Sequence, residues 1–390
     1  MKIAVVCDSF KGSLTSKDAC AAVKDGLLRC NKNFEVLSLP FADGGEGTSR
    51  CFYDILGGQL RKAAVHDPLL REITAEYTVL PDGTAVIDIA SASGLTLLKS
   101  SERDAVKVSS LGSGELICDA AEHGAKHIIL GLGGSATTDA GTGILYALGM
   151  RFFSEDGVEV LPDGQNMIRV KKIRRTENFE RFKDIKFTLA CDVTNPLCGE
   201  NGAAYVFSPQ KGASKNDVKL LDDGLRNIGG IFEKASGKKI INLPGAGAAG
   251  GIGGGLSAFL NCELQSGFDV LARAASLEDK IRRSDAVITG EGKTDRQTLF
   301  GKLPKRVSDI AEKFGVPCIL LSGDVENDIS AEKLGVCEIH KIKENGISLE
   351  HCMKNAASLL SERAFAIGKD SKIINKQYSR KQEKMRENER

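Results

Sequence analysis

The chain has 390 residues, a formal net charge of +1, no Trp and an aromatic content of 5%. The neutral balance excludes a global field that would recruit nucleic acid or a membrane surface, and scarce aromatics exclude a base-stacking platform. The 11 Cys include no Cys-x-x-Cys pair, the first apolar run stops at Asp8, and no apolar run approaches a membrane span, so a cytoplasmic protein with reduced thiols is expected.

Ile3 to Cys7 is a continuous apolar run of strand length. Thr15 then precedes Ala19, Ala22, Val23, Leu27 and Cys30 at helical spacing, and Thr15 with Asp18 approximates a capping box. Phe34 to Leu39 reads as the next strand, so the chain opens β-loop-α-β. Tyr77 to Leu80 and Ala85 to Ala90 flank Pro81-Asp82-Gly83, a hairpin signal. His127 to Leu130 reads as a strand and Ile144 to Leu148 as a helix. Phe187 to Cys191 and Ala204 to Phe207 read as strands. Val218, Leu221, Leu225, Ile228 and Phe232 mark an amphipathic helix capped by Ser214. The strand–helix alternation returns with Ala286 to Thr289, a helix through Val307 and Phe314, Pro317 to Leu321, and a helix from Cys352 to Leu360. This grammar predicts an α/β protein of two domains. A doubly wound, flavodoxin/Rossmann-like domain comes from both chain ends (1–75 with 280–368), and a mixed α/β domain (76–279) is inserted between them. From Lys369 onward, eight Lys/Arg face four acids, so 369–390 reads as a solvated basic tail, disordered or a frayed helix.

Glycine-rich loops bearing hydroxyls, carboxylates and lysines recur after predicted strands, where ligands bind in open α/β sheets. Leu130-Gly131-Leu132-Gly133-Gly134-Ser135-Ala136-Thr137-Thr138-Asp139-Ala140-Gly141 joins a strand to a helix start. Small residues there let the backbone approach an anion, Ser135, Thr137 and Thr138 add hydroxyl donors, and Asp139 is placed to face Mg²⁺. In Asp8-Ser9-Phe10-Lys11-Gly12, Lys11 suits a phosphate or carboxylate and Asp8 can orient it. In Ala42-Asp43-Gly44-Gly45-Glu46-Gly47-Thr48, Asp43 and Glu46 suit a general base or hydroxyl binding. Asp192 and Asn195, in Cys191-Asp192-Val193-Thr194-Asn195-Pro196, are hard oxygen donors, and Lys211 is a point-charge phosphate partner. Glu291 and Asp295, in Gly290-Glu291-Gly292-Lys293-Thr294-Asp295, suit a metal or a hydroxylated ligand. Gly292-Lys293-Thr294 imitates the end of a Walker A loop, but Val287 stands where its first glycine belongs. Gly245 to Gly250 satisfies G-x-G-x-x-G after a possible strand, Lys239 to Leu243, which leaves an NAD-dependent hydroxy-acid dehydrogenase as the rival reading. A sugar-acid-sensing regulator rests on the basic tail alone. The loop set as a whole suits phosphoryl transfer, which needs positioning, Mg²⁺ and cationic or N–H clamps.

Taken in order, Asp8 to Gly12, Ala42 to Thr48, Gly131 to Gly141, Cys191 to Leu197, Pro209 to Ala213, Pro244 to Gly250 and Gly290 to Thr298 resemble the type-1 glycerate kinases over residues 1 to about 368. The resemblance implies ATP-dependent, Mg²⁺-assisted phosphorylation of D-glycerate, leaning to 2-phosphoglycerate with 3-phosphoglycerate as the alternative, by a monomer or homodimer. It also implies two α/β domains with the active site in the cleft between them. Carried onto matching positions, the cleft-lining candidates are Asp8, Lys11, Asp43, Glu46, Asp192, Lys211, Glu291 and Asp295. Asp192 or Asp43 would take or orient the glycerate hydroxyl proton. Lys11 and Lys211 would neutralise the phosphoryl group and the glycerate carboxylate. Asp8, Glu46 and Asn195 would bind substrate, Glu291 and Asp295 would hold Mg²⁺, and Gly133, Gly134, Ser135, Thr137, Thr138 and Asp139 would line the phosphates.

Overall fold

The computed structural model describes residues 1–42, 45–344 and 346–379. Its strands are, in chain order, β1 (Lys2–Cys7), β2 (Glu35–Pro40), β3 (Gln59–His66), β4 (Glu72–Val79), β5 (Ala85–Asp88), β6 (His127–Gly131), β7 (Met150–Phe153), β8 (Lys172–Arg175), β9 (Lys186–Ala190), β10 (Asn261–Gln265), β11 (Ala286–Thr294), β12 (Cys318–Val325) and β13 (Glu338–Lys341). The protein is an α/β protein of two compact units, Met1–Asp43 with Leu271–Arg390, and Gly44–Val270.

The first unit is built on an all-parallel sheet of order β13-β12-β11-β1-β2. Numbered within the unit, that is the order 2-1-3-4-5, whose direction of winding reverses between β1 and β11. Both faces of β1 are buried, which explains its unbroken apolar run. Ile3, Val5 and Cys7 pack with Ala19, Val23 and Leu27 of the helix Ser16–Cys30 and with Leu360, Ala364 and Ile367 of the helix Ala356–Asp370. These two helices approach so closely that a Cβ at Gly26 would lie 2.1 Å from the Ser361 carbonyl oxygen. Thr15 caps the first of them through the Asp18 amide at 3.1 Å. Residues 372–379, expected as part of a solvated tail, are helical. Ile374 is fully buried in the same core, and Tyr378 meets Phe34 edge-on with centroids 5.9 Å apart. Those apolar positions dock the segment despite its surrounding charges.

The second unit holds a six-stranded sheet of order β10-β9-β6-β5-β4-β3. β5, β6, β9 and β10 run parallel, whereas β3 and β4 are antiparallel. Residues 44–75, expected with the first domain, lie in this unit because β3 pairs with β4 all the way from Gln59↔Val79 to His66↔Glu72. The Pro81-Asp82-Gly83 hairpin forms, with Gly83 at φ +83° and Asp82 Oδ1 accepting the Thr84 amide at 2.9 Å. Ala203–Phe207 is a helix rather than the expected strand. Its apolar composition suits either state. The Val206 amide donates back to the Gly202 carbonyl, and only Ala203 and Ala204 are buried while Tyr205 and Val206 face solvent. The helix Lys215–Ser236 starts at a Ser214–Asp217 capping box and supplies Phe232 to an aromatic cluster with Phe152 and Phe259. Among the described residues, no helix is long and apolar enough to cross a membrane.

Candidate active site

In the second unit the parallel strands deliver their carboxyl ends side by side, with Asp88↔Gly131 and Gly131↔Ala190 in register. The glycine-rich segment leaves β6 at Gly131 and turns at Gly134, where φ is +76°. Gly134 accepts the Leu95 amide at 2.9 Å and Ala136 donates to the Ser93 carbonyl at 2.8 Å, which pins the turn from one side. Among the described residues, the N–H groups of Gly133, Gly134 and Ser135 meet no acceptor, and the buried Thr137 hydroxyl has no partner. Unspent donors in a glycine turn are what an anion requires.

Lys211 is 3% exposed, and its Nζ donates to Ser135 Oγ at 2.9 Å and to the Thr137 carbonyl at 2.7 Å. Burial pushes this ammonium down to about 7, against the opposing pull of Asp139. An ammonium has three N–H donors, so one remains beyond these two. The short turn Pro209–Lys211 that places it follows Ser208, whose Oγ lies 2.9 Å from Thr138 Oγ1. Thr138 is therefore turned inward, bonded to Ser208 and fully buried.

Asp139 is not presented to a metal or phosphate. It is fully buried, and its oxygens accept the Ser110 amide and hydroxyl at 2.9 and 2.7 Å, the Gly141 amide at 3.0 Å and the Gly143 amide at 3.4 Å. It braces the helix Thr142–Ala147. The Gly245–Gly250 motif likewise serves packing. Residues 239–243 form no strand, so the dinucleotide context is missing. Its backbone instead abuts the other loops. The Gly250 carbonyl accepts the Ala140 amide at 3.0 Å, and the Gly247 amide donates to the Asn195 carbonyl at 3.0 Å. A Cβ would stand 2.0 Å from the Thr137 carbonyl oxygen at Gly250 and 2.3 Å from the Pro196 carbonyl oxygen at Gly247.

Asp192 is exposed on the loop after β9. Asn195 spends its side-chain amide on the Asn201 carbonyl at 2.8 Å, a loop-closing bond. Glu46 is exposed beside the glycine turn, with Thr96 Oγ1 at 3.4 Å from its Oε1. A Cβ at Gly134 would lie 3.6 Å from the Glu46 Cβ. Sequence reasoning missed Asp88, which is 5% exposed and accepts the Gly47 and Ser49 amides at 2.9 and 3.0 Å. Its signal was a lone carboxylate ending the apolar run Ala85-Val86-Ile87. It also missed Ser208 and Ser110, whose partners lie far away in sequence.

In the first unit, β1 and β11 flank the point where winding reverses, and the loops after them touch. Asp8 donates its amide to the Gly290 carbonyl at 2.9 Å and accepts the Ser9 amide at 2.6 Å. A Cβ at Gly292 would lie 3.2 Å from the Lys11 main-chain nitrogen, while the Lys11 side chain is exposed. Glu291, 5% exposed, accepts Thr298 Oγ1 at 2.7 Å, and burial raises its carboxyl above the ordinary range. The same Thr298 hydroxyl accepts the Asp295 amide at 3.2 Å. Burial works to raise Asp295, but Lys302 at 3.1 Å and the Gln297 amide at 2.9 Å outweigh it, and the carboxyl titrates below its usual range. Among the described residues, no group of three or more His, Cys, Asp or Glu could hold a metal alone. Mg²⁺ bound with a nucleotide takes only one or two carboxylates besides phosphate and water oxygens, a number that Glu291 and Asp295, neighbours through the Thr298 hydroxyl, could supply once Asp295 gives up Lys302. Asp43 lies outside the described residues.

The glycerate kinase family model matches residues 3–372. The chain belongs to the glycerate kinase family. It is 38% identical over 364 residues to the glycerate kinase of Halalkalibacterium halodurans, an alignment covering 93% of this chain and 96% of that one. It is 40% identical over 330 residues to the glycerate 2-kinase of Escherichia coli K12, covering 84% and 87%. A crystal structure from Salmonella typhimurium LT2 described as a glycerate kinase 2 superposes with a TM-score of 0.84 at 35% identity, covering 94% of this chain and 97% of that one. Family membership makes the chain a kinase and removes the dehydrogenase reading.

Proposed function

We propose that this kinase phosphorylates D-glycerate with ATP and Mg²⁺ to give 2-phosphoglycerate in the cytoplasm. The observation that carries the reading is the turn at 133–135, whose unengaged amides are backed by the buried Lys211. Those amides and the Ser135 hydroxyl receive phosphate oxygens, and Lys211 offers its third donor. A phosphate near Lys211 restores its charge by countering the desolvation that lowers its pKa. Lys11 neutralises the glycerate carboxylate or the transferring group. Asp192 or Asp43 orients the attacking hydroxyl and accepts its proton, and Asp8 and Glu46 contact substrate. Glu291 and Asp295 hold Mg²⁺, which when bound offsets charge on the phosphate oxygens.

The test is ADP release across a panel of small hydroxy acids, with ³¹P NMR of the product. ADP with D-glycerate and a phosphate ester on the C2 oxygen is expected. An ester on the C3 oxygen corrects the regiochemistry, and no ADP with D-glycerate overturns the proposal.

A further inference from the structure

We propose that Asp88 is a positioning residue of this site: from the end of β5 it anchors the segment that carries Glu46 and so holds that carboxylate beside the 133–135 turn. The inference rests on the proposed site but concerns a residue whose two carboxylate oxygens are both engaged by main-chain amides.

The helix Thr48–Leu56 begins after Gly47, which has φ +89° and no side chain with which to cap. The cap comes instead from another strand, 41 positions later in sequence. Asp88 Oδ2 accepts the Gly47 amide and Oδ1 the Ser49 amide, so each oxygen is committed to one donor. A second tie fixes the same turn, since Ser49 Oγ lies 2.9 Å from both the Val86 carbonyl and Thr78 Oγ1. Asp88 pairs in register with Gly131, the residue from which the glycine segment departs. One rung of the sheet thus fixes the Glu46 segment and the phosphate turn relative to each other. A side-chain cap would need Ser, Thr, Asp or Asn in place of Gly47, but the φ of +89° there suits glycine, so the cap is borrowed from β5. A buried carboxylate is a costly substitute, because its ionised form loses water.

That cost makes the anchor pH-dependent. Burial pushes the Asp88 carboxyl up to about 7, the two amides pull it back, and Glu46 is the charged group that raises it further. Arg50, next on the helix, turns to Asp54 and Glu76 at 3.7 and 3.8 Å, while β6 places Gly131 at this level. Below about pH 7 the protonated carboxyl keeps only one good acceptor for two amides. Lys211 titrates in the same region but in the opposite sense, losing its charge as pH rises.

The experiment compares the wild-type protein with D88N, whose amide presents one oxygen and one NH₂ group at every pH. Steady-state kinetics with D-glycerate and ATP varied separately, from about pH 5.5 to 9, should show a KM for one substrate raised about tenfold in D88N with kcat little changed. The wild-type fall in kcat/KM on the acid side of 7 should vanish in D88N, while the alkaline fall persists. Amide exchange of residues 45–50 should accelerate in D88N while the rest of the chain keeps its protection. Wild-type KM values and an intact acid limb in D88N overturn the proposal, as does a lowered melting temperature with neither change. If the wild-type protein releases no ADP from D-glycerate, the proposed function fails on its own. The exchange measurement then still decides the anchor, because unchanged exchange at 47–49 refutes it.

Discussion

Lys211 is buried against the segment 131–141 and Asp139 within it, but they differ in what remains of their bonding capacity. The lysine spends two of its three N–H donors on Ser135 and Thr137, whereas both oxygens of the aspartate are filled by Ser110, Gly141 and Gly143. The substitution Lys211→Met should therefore lower kcat by about 10²–10³, the usual effect of removing one preorganised donor to a reacting oxyanion. Its melting temperature should stay within a few degrees of wild type, because the loss of two hydrogen bonds is offset by removing a poorly solvated charge. Asp139→Ala should do the reverse at the level of stability. It strands four donors in a fully buried site and should cost about 3 kcal/mol or more in urea unfolding. A wild-type urea midpoint in that variant would return Asp139 to the list of ligand-binding groups.

Among the elements, the glycine-rich segment Ala248–Phe259, a left-handed kink at 249–251 that runs into a helix, supports the site without reaching it. Gly250, Gly251 and Gly255 let the backbones of residues 137–140 lie directly against it, and a Cβ at Gly255 would stand 1.9 Å from the Ala140 carbonyl oxygen. Gly255→Ala should destabilise the second unit by about 2 kcal/mol or more and also depress activity, since the loop carrying Thr137 must shift. Paired thermal melts and ADP-release assays read both effects. That role explains why the G-x-G-x-x-G match misleads: the spacing records close backbone approach, and here the backbone approached is the protein's own. Elements governed by local rules were legible in the sequence. The apolar runs of β1 and β12, the caps at Thr15 and Ser214, the hairpin at 81–83 and the loops at strand ends all follow from neighbouring residues. The Asp88 anchor, the Thr138–Ser208 bond and the β3–β4 pairing that moves the unit boundary depend on contacts made only once the chain has folded. The docking of the helical segment 372–379, read as a solvated tail or frayed helix, escaped for another reason, since its charges dominate the composition while Ile374 and Tyr378 decide its packing.

For the molecule as a whole, those last residues complete the core of the first unit. Ile374→Ala should cost about 3 kcal/mol, as for other fully buried Ile truncations, and deleting residues 371–390 should cost at least as much. Guanidinium unfolding followed by Tyr and Phe signals would measure both, and unchanged midpoints would show that the helical segment merely rests on the surface. The discontinuity of this unit also has a consequence for biosynthesis. β1 leaves the ribosome well before its partner β11, which begins at Ala286. At the usual rate of roughly 5–20 residues per second, the apolar strand β1 waits on the order of ten seconds to a minute for that partner. The contiguous second unit can fold in that interval. The nascent β1–β2 segment is thus left exposed while its partner is made, and slowed translation between β2 and β11 should increase its aggregation in cells.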